Sequence, residues 1–402
     1  MQNAEMKISA AILAAVLCFS CLVTVKHRKD SSKAAGGEAA CDSMPEFSAE
    51  TVSKSENYEI PELLSELTPT DDGLGESVQS TPLSSSENSA PPAPVTQPTE
   101  GKKSPVDYTL TSTYETVDRQ ISDLCSAYPD LIMRESIGKS VRGRDIYLVT
   151  LGRGKKKICV VGAMHAREHI TISYLMRCIE DYAAGYYSQS GWLDGYNVRN
   201  LLDKYTLYIV PNCNPDGTEI VLSGENPATQ VIITSKEAYK ANANGVNLNR
   251  NFPFGFGTYE KMSTLPHESS FPGQFAASEP ETKALISLCE ENSFELVLSF
   301  HIQGECVYWS DAINVNTANS ELLADRISKA YGFYKCPTST ELSLFGGGFE
   351  NWFRYTFSRP GLCIELMPLE YEVQPLSDYD NINMENSLRY SHTRSIMLSA
   401  IS

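Results

Sequence analysis

The chain has 402 residues, 42% of them hydrophobic, enough to build a sizeable core. Its formal net charge is −17, so it lacks the basic field that a phosphate backbone requires, and nucleic acid is excluded as a partner. The acid is unevenly spread: residues 1–29 carry four basic side chains against Glu5 (+3), residues 30–105 carry 14 acidic and 4 basic ones (−10), and residues 106–402 hold the remaining −10.

Residues 8–25 form an 18-residue run without a charge, between Lys7 and Lys26-His-Arg-Lys29. That length suits a marginal membrane span or the apolar part of a signal peptide. Residues 1–29 therefore read as an export signal or an uncleaved membrane anchor. The protein is expected outside the cytoplasm, either secreted or tethered. Residues 30–105 are rich in Ser, Pro, Thr and Glu. Such a stretch buries too little apolar surface to offset the entropy of ordering it, so it reads as a disordered linker. A catalytic domain is expected over 106–402.

Within that domain the pattern predicts a helix over 113–127, stopped by Pro129, then strands over 145–151 and 158–161. A helix over 170–186 follows. A strand over 205–210 runs into the turn-rich Pro211-Asn-Cys-Asn-Pro-Asp-Gly217, and 218–275 reads as a long loop-rich section. Next come a helix over 279–292, a strand over 295–300, a helix over 320–331, a Gly346-Gly-Gly348 loop, a helix over 349–357, a strand over 361–366 and a closing helix over 384–400. Alternating strands and helices predict an α/β fold: one globular domain with a mixed, mostly parallel central sheet flanked by helices. Eight of the 11 cysteines follow residue 105 without a CxxC pair, so they read as buried small hydrophobes.

The chemistry centres on Gly162-Ala-Met-His165-Ala-Arg-Glu168-His169, where a strand gives way to a helix. A His and a carboxylate three residues apart can turn toward one point there. Zinc hydrolases use three protein ligands and keep a fourth position open. The chain has only six His, and His301, at the end of the 295–300 strand, can converge with His165 because ligands gather at the carboxyl ends of strands in open α/β sheets. A rival reading takes His165-Ala-Arg-Glu168-His169 as an H-x-x-E-H motif with both His on the metal. It needs all five residues on one helix.

Taken with Pro211–Gly217, Gly245-Val-Asn-Leu-Asn-Arg-Asn-Phe252, His301 and Cys363-Ile-Glu365-Leu366, this motif resembles the zinc carboxypeptidase family, in that order, over roughly 108–400. Tyr239-Lys-Ala-Asn-Ala-Asn-Gly245 and the run from His301 to Trp309 look like the bacterial branch that includes γ-D-glutamyl-diaminopimelate peptidases. The resemblance implies one zinc ion held by His165, Glu168 and His301, with Glu365 as general base. It implies that Asn249 and Arg250 bind the substrate's terminal carboxylate, that Arg167 lines a neighbouring subsite and that Lys240 stabilises the oxyanion. Glu350 falls at the specificity position, where an acid favours a cationic side chain; a solvated Glu at a helix start is the plainer reading.

Three departures stand out. Asn247 stands where the family usually has an Asp that orients the first zinc His. His169 replaces a Trp, and no Tyr occurs between Tyr334 and Tyr355, where digestive members carry a mobile one. The expected activity is zinc-dependent hydrolysis of peptides near a free C-terminus, with peptidoglycan stem peptides as the specialised substrate. A zinc deacylase or amidase, and a silent binding module, are the alternatives.

Overall fold

In the computed structural model the described residues are 104–107, 110–223, 225–226, 231–232, 239–310, 317–337, 342–368 and 389–402. The apolar run at 8–25 and nearly all of the 30–105 linker lie outside them. Among the described residues no helix is long and apolar enough to cross a membrane.

Helix α1 (Tyr114–Ala127) begins at Thr113, whose hydroxyl accepts a hydrogen bond from the Thr116 N–H, and it buries Val117, Ile121 and Leu124 on one face. An eight-stranded sheet follows, built from β1 (Ile132–Lys139), β2 (Asp145–Gly152), β3 (Lys156–Val161), β4 (Tyr205–Val210), β5 (Phe294–His301), β6 (Cys306–Tyr308), β7 (Tyr334–Lys335) and β8 (Gly361–Glu365). Its spatial order is β1-β2-β4-β3-β5-β8-β6-β7. The central strands β4, β3, β5 and β8 are parallel, while β1, β2 and β6 add antiparallel pairings. The expected mixed, mostly parallel sheet is what forms.

The central strands are buried on both faces, so they read as largely apolar runs rather than alternating ones. Period two still sorts the side chains. On β3, Ile158 and Val160 join the core beneath α1 and α2 (Ile170–Tyr187), while Cys159 and Val161 join a second core. That second core packs α5 (Pro280–Glu291) and α7 (Phe349–Phe357) against the other face. Ahead of α5 in the chain lie α3 (Val198–Lys204) and α4 (Pro215–Ser223), and between α5 and α7 lies α6 (Thr317–Tyr331). The described cysteines are free, and all but Cys125 and Cys363 are buried, as small hydrophobes are.

Two expectations are corrected. The section after Gly217 does not start as a loop: α4 begins at Pro215, because Pro suits the first turn of a helix and Asn214 accepts the Gly217 N–H at 3.0 Å. The closing helix is not continuous over its described part. A short turn (Tyr390–Thr393) and α8 (Ile396–Ile401) are separated at Arg394-Ser395, where Asp194 draws both side chains aside, with Arg394 Nη2 at 2.7 Å and Ser395 Oγ at 2.6 Å. Residues 384–388 lie outside the described part.

Candidate active site

The carboxyl ends of the parallel strands open on one edge of the sheet, and three of them carry the site. β3 ends at Val161 and the chain turns through Gly162, where a Cβ would lie 2.7 Å from Leu175 Cδ1 and 2.8 Å from the Pro211 carbonyl. Only glycine tolerates that approach. Thr171 Oγ1 then accepts the Ala163 N–H at 2.8 Å and donates to the Glu168 carbonyl at 2.8 Å, tying the turn to the first residues of α2. His165 is left in extended geometry (φ −89°, ψ 131°) ahead of a single 3-10 turn, Ala166–Glu168. It is therefore outside α2, and the H-x-x-E-H reading fails: His169 is buried and absent from the cluster of candidate metal ligands.

Glu168 is the hub. Its Oε1 lies 2.8 Å from His165 Nδ1 and its Oε2 lies 2.8 Å from His301 Nδ1. The two imidazole rings are tilted at 55° to each other with centroids 4.8 Å apart. One ligand atom from each of His165, Glu168 and His301 lies within 4.8 Å of the others. Two imidazole nitrogens and a carboxylate oxygen are a donor set that suits zinc with a position left open. The charges agree. Burial pushes His165 down to about 3, keeping it neutral as a ligand must be. Burial also works against protonation of His301, but its hydrogen bond to Glu168, the Glu168 charge, Glu350 and Glu365 outweigh that and push it up to about 10. Three carboxylates thus draw a proton onto this imidazole, and a metal held there would take that proton's place.

Glu365 ends β8 and pairs in register with His301 on β5. Its Oε2 is buried without a hydrogen-bond partner. Burial, reinforced by Glu168, pushes its carboxyl up to about 7 against the pull of His301, Lys240 and Arg167. Across the site the Ala166 and Arg167 N–H groups donate to the Lys240 and Tyr239 carbonyls at 3.3 and 3.0 Å. This pairing brings Lys240 Nζ within 3.9 Å and Arg167 Nε within 3.8 Å of Glu168 Oε1. The Pro211–Gly217 motif braces it: Asn214 Nδ2 donates to both the Met164 and Ala241 carbonyls at 3.2 Å.

Asn249 and Arg250 sit on a 3-10 turn (Leu248–Arg250). Asn249 Oδ1 accepts the Phe349 N–H at 2.8 Å, tying the turn to the start of α7. Gly347 lies against the turn with φ +77°, and a methyl there would overlap the Arg250 carbonyl. Glu350 is 5% exposed, which corrects the solvated-helix-start reading. Its Oε1 is 3.8 Å from His301 Nε2 and has no hydrogen-bond partner.

The structure does not bring Asn247 to His165 by a hydrogen bond. Asn247 Oδ1 accepts the Asn249 N–H at 2.9 Å and its Nδ2 donates to the Ser269 carbonyl at 2.7 Å, while His165 Nε2 is buried without a partner. Sequence reasoning missed Ser299, whose Oγ lies 2.9 Å from His301 Nε2. Strand alternation could have found it, because Ser299 is two residues before His301 on the same face.

The sequence signature described as Zinc carboxypeptidase matches residues 117–358, spanning both the His165-x-x-Glu168 turn and His301. The chain belongs to the zinc carboxypeptidase family. It is a zinc metallopeptidase. It is similar to a gamma-D-glutamyl-L-diamino acid endopeptidase 1 of Lysinibacillus sphaericus, 29% identical over 287 residues covering 68% of this chain and 69% of that one. It is also similar to carboxypeptidase B of Canis lupus familiaris, 26% identical over 263 residues, with 60% and 59% covered. Its fold is that of the carboxypeptidase A structure from Helicoverpa armigera, with a TM-score of 0.56 at 18% identity over 73% of this chain and 75% of that one.

Proposed function

We propose that this zinc carboxypeptidase family member hydrolyses peptides next to a residue that bears a free carboxylate, using His165, Glu168 and His301 to hold one zinc ion. The observation that carries the reading is the shared Glu168 carboxylate between two imidazole Nδ1 atoms, with Glu365 one strand away in register with His301. A zinc ion held there supplies Lewis acidity and makes water a stronger acid near neutral pH.

Glu365 then acts as general base. Its carboxyl, pushed up to about 7, is basic enough to take a proton from water and acidic enough to return it to the leaving amine. Lys240 and Arg167 supply positive charge beside Glu168 for the oxygen that becomes negative as the carbonyl is attacked. Arg250 and the amide of Asn249 bind the substrate carboxylate, a task for which a guanidinium offers two parallel donors.

Peptidoglycan stem peptides are the specialised substrate this site favours. Glu350 brings negative charge to the site, 3.8 Å from His301 Nε2, and such a charge favours a substrate amine, such as that of a diamino acid. Likeness to an endopeptidase named for γ-D-glutamyl-L-diamino acid bonds points the same way. An extracytoplasmic location, secreted or anchored, fits that substrate and rests on the apolar run at 8–25.

The test is Glu365→Gln in the zinc-bound full chain, assayed on a γ-linked stem peptide and an α-linked peptide. Bound zinc should stay at wild-type content and turnover should fall at least about a hundredfold, the scale of a general base. An active Glu365→Gln protein would refute the mechanism; faster cleavage of the α-linked peptide by wild type would remove the stem-peptide reading.

A further inference from the structure

The Arg250 guanidinium carbon lies 4.1 Å from the centroid of the Tyr259 ring. Arg250 Nη1 donates to the Asn249 carbonyl at 2.6 Å, and its Nε is buried without a hydrogen-bond partner. An aromatic ring attracts a guanidinium through its quadrupole and asks for none of its in-plane N–H donors. Tyr259 can therefore hold the group in place without competing for the edge that a carboxylate would use.

The half-buried Tyr259 sits in a loop that is itself fixed. Phe252 N–H donates to the Gly347 carbonyl at 3.0 Å and Gly347 N–H to the Phe254 carbonyl at 2.9 Å. The Phe254 ring stacks on Tyr355 at 4.3 Å. Thr258 N–H closes on the Gly255 carbonyl and Met262 N–H on that of Tyr259, each at 3.2 Å. The ring thus belongs to the same braced unit as the Arg250 turn and the start of α7.

We propose that Tyr259 is a substrate-positioning residue, acting through Arg250: its ring fixes the guanidinium so that the free edge meets the substrate's carboxylate. This rests on the carboxylate-binding reading of Arg250 given above. The ring, not the hydroxyl, carries the effect, and only ligands with a free C-terminal carboxylate feel it.

The test uses the zinc-bound full chain carrying Glu365→Gln, so that ligands bind without being turned over. Calorimetry measures affinity for L-alanyl-γ-D-glutamyl-L-lysine as the free acid and as the C-terminal amide. The free acid should bind more tightly. Tyr259→Ala should weaken free-acid binding about three- to thirtyfold, the range of a cation–π contact, and leave the amide unchanged. Tyr259→Phe should restore it. Tyr259→Leu, which keeps apolar bulk without a ring face, should behave as Tyr259→Ala and guards against a folding defect. With Arg250→Ala in the background, Tyr259→Ala should have no further effect. Acid and amide weakened alike, or an intact acid preference in Tyr259→Ala, overturns the proposal. Arg250→Ala with an undiminished acid preference, or no measurable binding of either peptide, overturns the carboxylate reading of Arg250 itself.

Discussion

Glu281 shows how a single buried group sets pH dependence away from the reaction. It is fully buried, with Oε1 accepting the Val141 N–H at 3.1 Å and Oε2 accepting Asn242 Nδ2 at 3.0 Å. Burial pushes its carboxyl from 4.5 to about 7, despite those hydrogen bonds. A carboxyl raised by folding binds its proton more tightly in the native state, so stability is full below about 4.5 and is lost as pH rises through about 7. The stability of wild type relative to Glu281→Gln should fall by roughly 3 kcal/mol across that window. Urea unfolding of both proteins from pH 4 to pH 8 measures it, and parallel curves would show that Glu281 does not titrate there. At this scale the sequence exposed the reactive types well. Six His left few choices for a third ligand, and a lone Glu in Cys363-Ile-Glu365-Leu366 stood out among apolar neighbours. It could not expose Ser299 or Tyr259, ordinary residues whose importance comes from what they touch.

At the scale of elements, the site is made by turns. The 3-10 turn Ala166–Glu168 aims His165 and Glu168, and the one at Leu248–Arg250 aims Asn249 and Arg250. The second is pinned by Gly347, whose left-handed φ of +77° and contact with the Arg250 carbonyl leave no room for a side chain. Gly347→Ala should cost about 1–3 kcal/mol, the left-handed penalty plus a displaced contact. Denaturant unfolding checks the stability, and an unchanged midpoint would mean that the turn relaxes freely. The helices α1, α2, α5, α6 and α7 and the central strands were legible from periodicity within a few residues at their ends. The short α3 and α4 were not, α4 because Pro211–Gly217 is dense in turn formers and the same Pro and Asn also open a helix. Strand β1, with only Ile132 fully buried among its eight residues, carries little apolar pattern and went unrecognised.

For the whole molecule, the ligands come from distant parts of the chain: 133 residues separate Glu168 and His301. A metal that bridges them binds the folded state and not the unfolded chain, so it stabilises by mass action, about 2.7 kcal/mol at a free concentration 100 times its dissociation constant. Chelation should lower the unfolding temperature by several degrees, and zinc, but not magnesium, should restore it; scanning calorimetry decides. No shift on chelation would argue against the cluster as a metal site. By itself the sequence determined the fold class and the family and named the candidate residues for the chemistry, because periodicity and motif order are properties of neighbouring residues. Only the tertiary structure decided that His169 stands outside the ligand cluster, that Glu350 is buried behind His301, that Asn247 caps its own turn and that Tyr259 faces Arg250. Those outcomes depend on which strand ends and turns meet at the edge of the sheet, a matter of strand order and register that no local pattern records.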